Sequence, residues 1–244
     1  MSPRKIIATA GRVLNQLHHD RRTLALILVV PPVLITILKY VFEDQEQLFS
    51  GLAPMILGIF PLVIMFLVTS IATLRERSTG TLDRLMTMPI SKLDFVFGYA
   101  LAFSALAFLQ ACIASLVVLG LLDVTVLGGT LPVLVTAVLS AFLGTTLGLF
   151  VSAFATSEFQ AVQFMPAIIM PQLLTCGLFV AREHMAAPLQ WFANVMPLTY
   201  SVDAMKEVTL RAAWTGRLTR DLLVVVGFGV AALVLGAVTI RRQD

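Results

Sequence analysis

Six apolar runs, near residues 24–42, 52–74, 95–122, 131–155, 161–181 and 221–240, dominate the chain. Each approaches or exceeds the roughly 20 apolar residues a helix needs to cross the hydrocarbon core of a bilayer. A backbone in lipid has to satisfy its own N–H and C=O groups, and a helix does so within one segment. The runs therefore predict an all-α polytopic membrane protein with six transmembrane helices. Composition agrees, because 58% of the 244 residues are hydrophobic and only 13% are charged. Soluble domains carry about 25% charge, so this chain has too little to cover a soluble core. Pro31 and Pro32 interrupt the first run and predict a kink or an irregular start there. Five further runs follow a long basic leader, which predicts an uncleaved first helix rather than a secretory signal.

Lysine and arginine in the loops orient such a bundle. The leader (Arg4, Lys5, Arg12, Arg21, Arg22), the second loop (Arg75, Arg77, Arg84, Lys92) and the tail (Arg241, Arg242) share one side in a six-span layout. The other side holds Lys39, Arg182, Lys206, Arg211, Arg217 and Arg220. The excess places both termini in the cytoplasm. Within the leader, Ile6, Ala10, Val13, Leu14 and Leu17 recur at helical spacing opposite Arg4, Lys5, Asn15, Gln16 and His19. This predicts an interfacial amphipathic helix over residues 1–23, either a docking element or an anchor.

Several chemistries find no support in the residues. No basic stripe tracks nucleic acid. Cys112 and Cys176 sit inside apolar runs as packing residues, and His18, His19 and His184 lack metal-ligand spacing. No Gly-x-x-x-x-Gly-Lys-Ser/Thr phosphate loop occurs. Charges are nearly absent from the run interiors, which disfavours a proton- or sodium-coupled secondary transporter. A membrane-embedded enzyme would need clustered carboxylates, histidines or a nucleophile at depth. Neutral polar residues do occur: Gln110 in the third run, and Gln160, Gln163, Gln172 and Thr175 in the fifth. They could line a pathway, or bond between helices for about 0.6–2 kcal/mol each. Ser140, Gly144, Gly148 and Ser152 form a stripe of small residues for close helix packing, inside one subunit or between two. Pro166 and Pro171 mark the fifth run as a candidate for bending.

The loop at residues 75–94 is more patterned than a linker. Glu76–Met88 can form a surface helix with Leu82, Leu85 and Met86 on one side and Pro89 as its stop. Ser91 and Asp94 fit a capping box for the following span. The helix could dock on a soluble partner or pack on its own bundle.

This segment resembles the signature of ABC type-2 transporter permeases, the membrane subunits of ATP-driven exporters that include the daunorubicin-resistance and polysaccharide-export branches. The resemblance rests on Glu76, Gly80, Thr81, Leu82, Leu85 and Pro89. It extends to Gly177-Leu178-Phe179, Pro188-Leu189-Gln190-Trp191 and Met196-Pro197-Leu198-Thr199-Tyr200 with Asp203-Ala204, and to Asp20-Arg21 at the membrane edge. Arg182-Glu183-His184 departs from the pattern by its charge. The resemblance implies a connecting helix over 1–23, a six-helix domain over 24–244, a coupling helix in the 75–94 loop and re-entrant helices over 182–200. The outer gate would then involve Gly177, Pro188, Trp191, Pro197 and Tyr200. It also implies a nucleotide-binding ATPase subunit that carries ATP and Mg, and a second permease, identical or different. The expected function is export of a lipophilic or amphiphilic small molecule, drug-like or lipid, across a bacterial cytoplasmic membrane. Polysaccharide or glycolipid export is the alternative within the family.

Overall fold

The computed structural model describes residues 2–79 and 91–239, and no strand occurs among them. Nine α-helices follow one another in these residues: α1 (Pro3–His19), α2 (Arg21–Val41), α3 (Glu46–Ser78), α4 (Lys92–Leu116), α5 (Thr130–Ser152), α6 (Glu158–Thr175), α7 (Ala187–Val195), α8 (Pro197–Leu210) and α9 (Gly216–Thr239). A π-helical turn at Val117–Leu121 extends α4, and a 3-10 turn spans Arg182–His184. Among the described residues five helices are long and apolar enough to cross a membrane, namely α2, α3, α4 with its π turn, α5 and α9. The chain is thus an all-α, multi-pass membrane protein.

The run expected at 161–181 is the one that falls short. It appears as α6, 18 residues containing Gln160, Gln163 and Gln172 together with Pro166 and Pro171. Those residues lower its hydropathy, and the helix ends at Thr175 rather than continuing to 181. The helix assignment is unbroken through both prolines, as it is through Pro31 and Pro32 in α2. Pro31 and Pro32 are buried, and the Thr36 hydroxyl bonds the Pro32 carbonyl at 2.8 Å.

α1 packs along α4 with Thr9, Ala10, Val13 and Leu17 buried, while Leu14 of the expected apolar face points outward. Asp20 then turns the chain into α2. Its Oδ1 accepts the Thr23 N–H at 3.1 Å and its Oδ2 the Thr23 hydroxyl at 2.6 Å. This fills donors that a helix start otherwise leaves bare.

α3 is the axis of the bundle. Its 33 residues span about 50 Å, well beyond a hydrocarbon core of about 30 Å. It packs most extensively on α5. There the small-residue stripe does its work: Ser140, Gly144, Gly148 and Ser152 are all buried within the chain. A Cβ on Gly144 would lie 2.1 Å from the Leu62 carbonyl oxygen, and one on Gly148 2.5 Å from that of Phe66. The two backbones therefore touch, and the stripe belongs to an intrachain contact.

Two stability predictions follow from these contacts. Gly144→Val should destabilise the purified protein by about 3 kcal/mol, the upper end for overpacking, because the obstacle is backbone. Gly227→Ala, where a Cβ meets nothing within 4 Å, should be neutral or slightly stabilising in the same thermal unfolding assay. The Thr23 hydroxyl, then its N–H, hold the Asp20 carboxyl below its usual 3.8. A lowered carboxyl contributes stability above the unfolded value and loses it as pH falls through the folded one. Asp20→Ala should cost about 1 kcal/mol near pH 7, and that cost should shrink as pH is taken below 3.8.

Candidate functional site

Three consecutive charged residues, Arg75, Glu76 and Arg77, end α3 where the 80–90 segment leaves it. Successive helix positions are turned by about 100°, so the three side chains point to three different neighbours. The Arg75 guanidinium forks onto Glu158 at the start of α6, with Nε to Oε1 at 2.7 Å and Nη2 to Oε2 at 3.0 Å. Arg77 donates to the Ser152 carbonyl at the end of α5. Glu76 is buried, and its Oε1 pairs with Arg12 of α1 at 3.5 Å. Arg12 in turn donates to the Tyr99 hydroxyl of α4 at 2.5 Å and lies 5.8 Å from the centroid of that ring.

The other root of the 80–90 segment is held by the same helix. Ser91 and Asp94 form the expected capping box, each side chain bonding the other's N–H at 3.1 Å. Asp94 Oδ1 also accepts the Ser2 N–H at 2.9 Å. α1 therefore touches both roots, through Arg12 at one and Ser2 at the other. A displacement of the segment between them meets α1, α3, α4, α5 and α6 together.

Glu76 thus belongs to the end of α3 and not to a separate surface helix, because the α3 helix runs on to Ser78. Gly80, Thr81, Leu82, Leu85 and Pro89 lie outside the described residues. The pathway candidates are scattered. Gln110 is wholly buried, with both amide atoms unpartnered. Gln163 is exposed. Gln172 donates to the Ile168 carbonyl at 3.0 Å and accepts the Leu198 N–H at 3.3 Å, which ties α6 to the start of α8. The Thr175 hydroxyl bonds back to the Pro171 carbonyl at 2.8 Å.

At the opposite end, residues 177–206 fold on themselves. Lys206 donates to the Gly177 carbonyl at 2.6 Å, and the Tyr200 hydroxyl to the Asn194 carbonyl at 2.7 Å. Arg182 pairs with Asp203 and reaches Asn194 Oδ1 at 3.2 Å. Burial pushes the Asp203 carboxyl up, and Arg182 opposes that shift. These groups border a polar cleft of about 640 Å³. Of the outer-gate candidates, Gly177 and Tyr200 each make one of these bonds, and Pro197 is buried at the start of α8. Pro188 and Trp191 stand exposed on α7, Trp191 at 70%. The 182–200 region is the 3-10 turn, α7 and the first part of α8, whose buried face continues to Val208. The charged Arg182 that departs from the family pattern has a partner here in Asp203.

Arg12, Tyr99 and Glu158 were not among the sequence-based site residues. One signal was present for Tyr99, a tyrosine inside an apolar run, whose hydroxyl needs a partner once buried. Arg12 carries the next expectation. Arg12→Ala leaves the Glu76 carboxylate buried without its cation and should cost about 2 kcal/mol or more. Arg75→Ala breaks a pair that is half exposed on both sides and should cost about 0–1 kcal/mol. Denaturant unfolding of both variants, with a double-mutant cycle against Glu76→Gln, measures the difference.

The family model described as ABC-2 type transporter matches residues 5–210. ABC transporter G family member 20 of Dictyostelium discoideum is 28% identical over 169 residues, covering 69% of this chain and 23% of that protein. Inner membrane transport permease YhhJ of Escherichia coli K12 is 26% identical over 196 residues, 80% of this chain and 52% of its own. Probable multidrug ABC transporter permease YbhR of the same strain is 25% identical over 160 residues, 66% of this chain and 44% of its own. The chain spans about half or less of the length of these relatives. On the match across most of its length, this multi-pass membrane chain belongs to the ABC-2 type transporter family.

Proposed function

We propose that the chain is the permease subunit of an ATP-driven exporter of lipophilic or amphiphilic small molecules. The observation that carries this reading is the Arg75-Glu76-Arg77 triplet, which ties the root of the 80–90 segment to three other helices at once, and through Arg12 to Tyr99 of α4. In this reading the 80–90 segment docks on a separate nucleotide-binding subunit, which holds ATP and Mg. Closure of that subunit pushes the segment, and the triplet passes the displacement to the bundle. In this reading α6 is the sixth crossing, so both termini lie on the side of the basic residues of α1 and of the segment's roots, the cytoplasm. Two permeases, identical or different, and two ATPase subunits complete the assembly. Export and the small-molecule class lean on family membership and on the likeness to YbhR, a probable multidrug ABC transporter permease.

Co-expression with a candidate ATPase subunit tests the docking. Leu85→Asp should lower the co-purified ATPase by about tenfold or more, since one well-buried leucine contributes about 1.5–3 kcal/mol. Arg12→Ala should keep the ATPase bound at the wild-type ratio and lower cargo moved per ATP hydrolysed. A Leu85→Asp chain that retains its ATPase at the wild-type ratio would show that the segment is a plain surface loop.

A further inference from the structure

A second cavity, of about 260 Å³, opens beside the triplet between the α1–α2 elbow, α3 and α4. Its lining is graded. Gln16, Asp20, Thr23, Arg75 and Glu76 line the end nearest the 80–90 segment. Leu26, Leu67, Val68, Ile71 and Phe103 line it further into the membrane-spanning helices. Leu67 precedes Arg75 by two turns of α3, or about 12 Å, so the cavity is polar at one end and apolar at the other.

The polar end has unspent acceptor capacity. Glu76 is 6% exposed. Its Oε1 faces Arg12, and its Oε2 is buried without a hydrogen-bond partner, while the Tyr99 hydroxyl, which lines the same cavity, interacts with this carboxylate. A buried carboxylate oxygen left bare costs free energy that a donor recovers. Asp20 adds a second carboxylate to the lining. Among the described residues of the lining the one cation, Arg75, already forks onto Glu158. Two carboxylates above a slot of apolar side chains therefore face whatever enters.

We infer that this cavity binds a small or single-chained amphiphile bearing an amine, whose ammonium donates to Glu76 and Asp20 while its apolar part lies along Leu26, Leu67, Val68 and Phe103. The volume falls just below the range of about 300–1,000 Å³ typical of drug-sized ligands, which favours one alkyl chain or one ring over a two-chained lipid fully enclosed. The ammonium could come from the headgroup of a membrane aminophospholipid that inserts part of one chain, or from a free amine. The site needs no ATPase and does not rest on the transport reading.

The full chain in phosphatidylcholine nanodiscs provides the test, with dodecylamine as probe, dodecanol as its uncharged counterpart, and titration calorimetry corrected against empty nanodiscs. Dodecylamine should bind saturably, and dodecanol at least about tenfold more weakly, the worth of one hydrogen bond to a charged group. Glu76→Gln should narrow that gap. Val68→Trp and Leu26→Trp fill the slot from opposite walls without touching the ion pairs, and each should weaken dodecylamine by tenfold or more while thermal unfolding stays cooperative. Equal binding of the amine and the alcohol, or wild-type binding in both tryptophan variants, overturns the inference. With binding established, doping the nanodiscs with phosphatidylethanolamine separates the sources. Competition assigns the site to a lipid headgroup, and undiminished dodecylamine binding assigns it to a free amine.

Discussion

A charge beside hydrocarbon is costly unless it is paired, and α3 ends on three charges in a row. Each finds its partner on a different helix, so the pairing requirement of one helix end fixes the positions of three others. Only the buried member, Glu76, makes this demand strongly. The Arg75–Glu158 fork is half exposed and adds alignment more than stability. The Glu76–Arg12 pair is enclosed on the carboxylate side, and removing the cation would leave a bare buried anion. Arg12 is therefore the residue that keeps α1 on the bundle at its charged side, while Ala10, Val13 and Leu17 hold it by burial.

That arrangement needs a stiff α3, and α5 supplies it. Without a hydrophobic drive between helices in lipid, association depends on van der Waals contact and small residues. The approach of Gly144 and Gly148 to the carbonyls of Leu62 and Phe66 brings backbone to backbone, the closest packing two helices reach. Phe66 and Leu62 lie about two and a half and three and a half turns before the triplet. A movement imposed on the triplet thus acts on a helix already clamped along its length, and the neighbours bound to Arg75, Glu76 and Arg77 move with it or their pairs break.

Five of the six expected spans, the leader helix and the Ser91–Asp94 capping box are legible in the sequence, because each is a local pattern: apolar run, helical period, or cap three residues ahead of its partner. What was not legible depends on pairs distant in the chain. Arg12 and Glu76 are 64 residues apart, and Arg12 and Tyr99 87; nothing in local spacing announces them. Glu76 was singled out as part of a surface helix, and its burial at the end of α3 came from the length of α3, which continues four residues past the apolar run. The small-residue stripe announced a close contact but not which helix would meet it. Gln172 and Thr175 looked available for a pathway by composition alone, yet their polar atoms are used within α6 and at the start of α8.

Both ends of the bundle are bonded between distant segments, and the far end adds a locally bonded unit. There Lys39 donates to the Leu122 carbonyl at 3.1 Å, 83 residues away, and the Gly128 N–H to the Val208 carbonyl at 2.9 Å, while Arg182 with Asp203, 21 residues on, and Lys206 with Gly177, 29 residues back, are nearer neighbours. These nearer pairs close residues 177–206 into one locally bonded unit, with α8 sunk into the bundle through Leu198, Val202 and Met205. At the 80–90 end the pairs join segments 64 to 92 residues apart. A locally closed unit moves as one body when its neighbours shift, because its own bonds are indifferent to the motion. A cross-linked end has no such freedom, since displacing one root strains bonds to every attached helix. The bonds inside residues 177–206 therefore survive a shift of the neighbouring helices, whereas a shift at the roots of the 80–90 segment strains bonds to several helices at once.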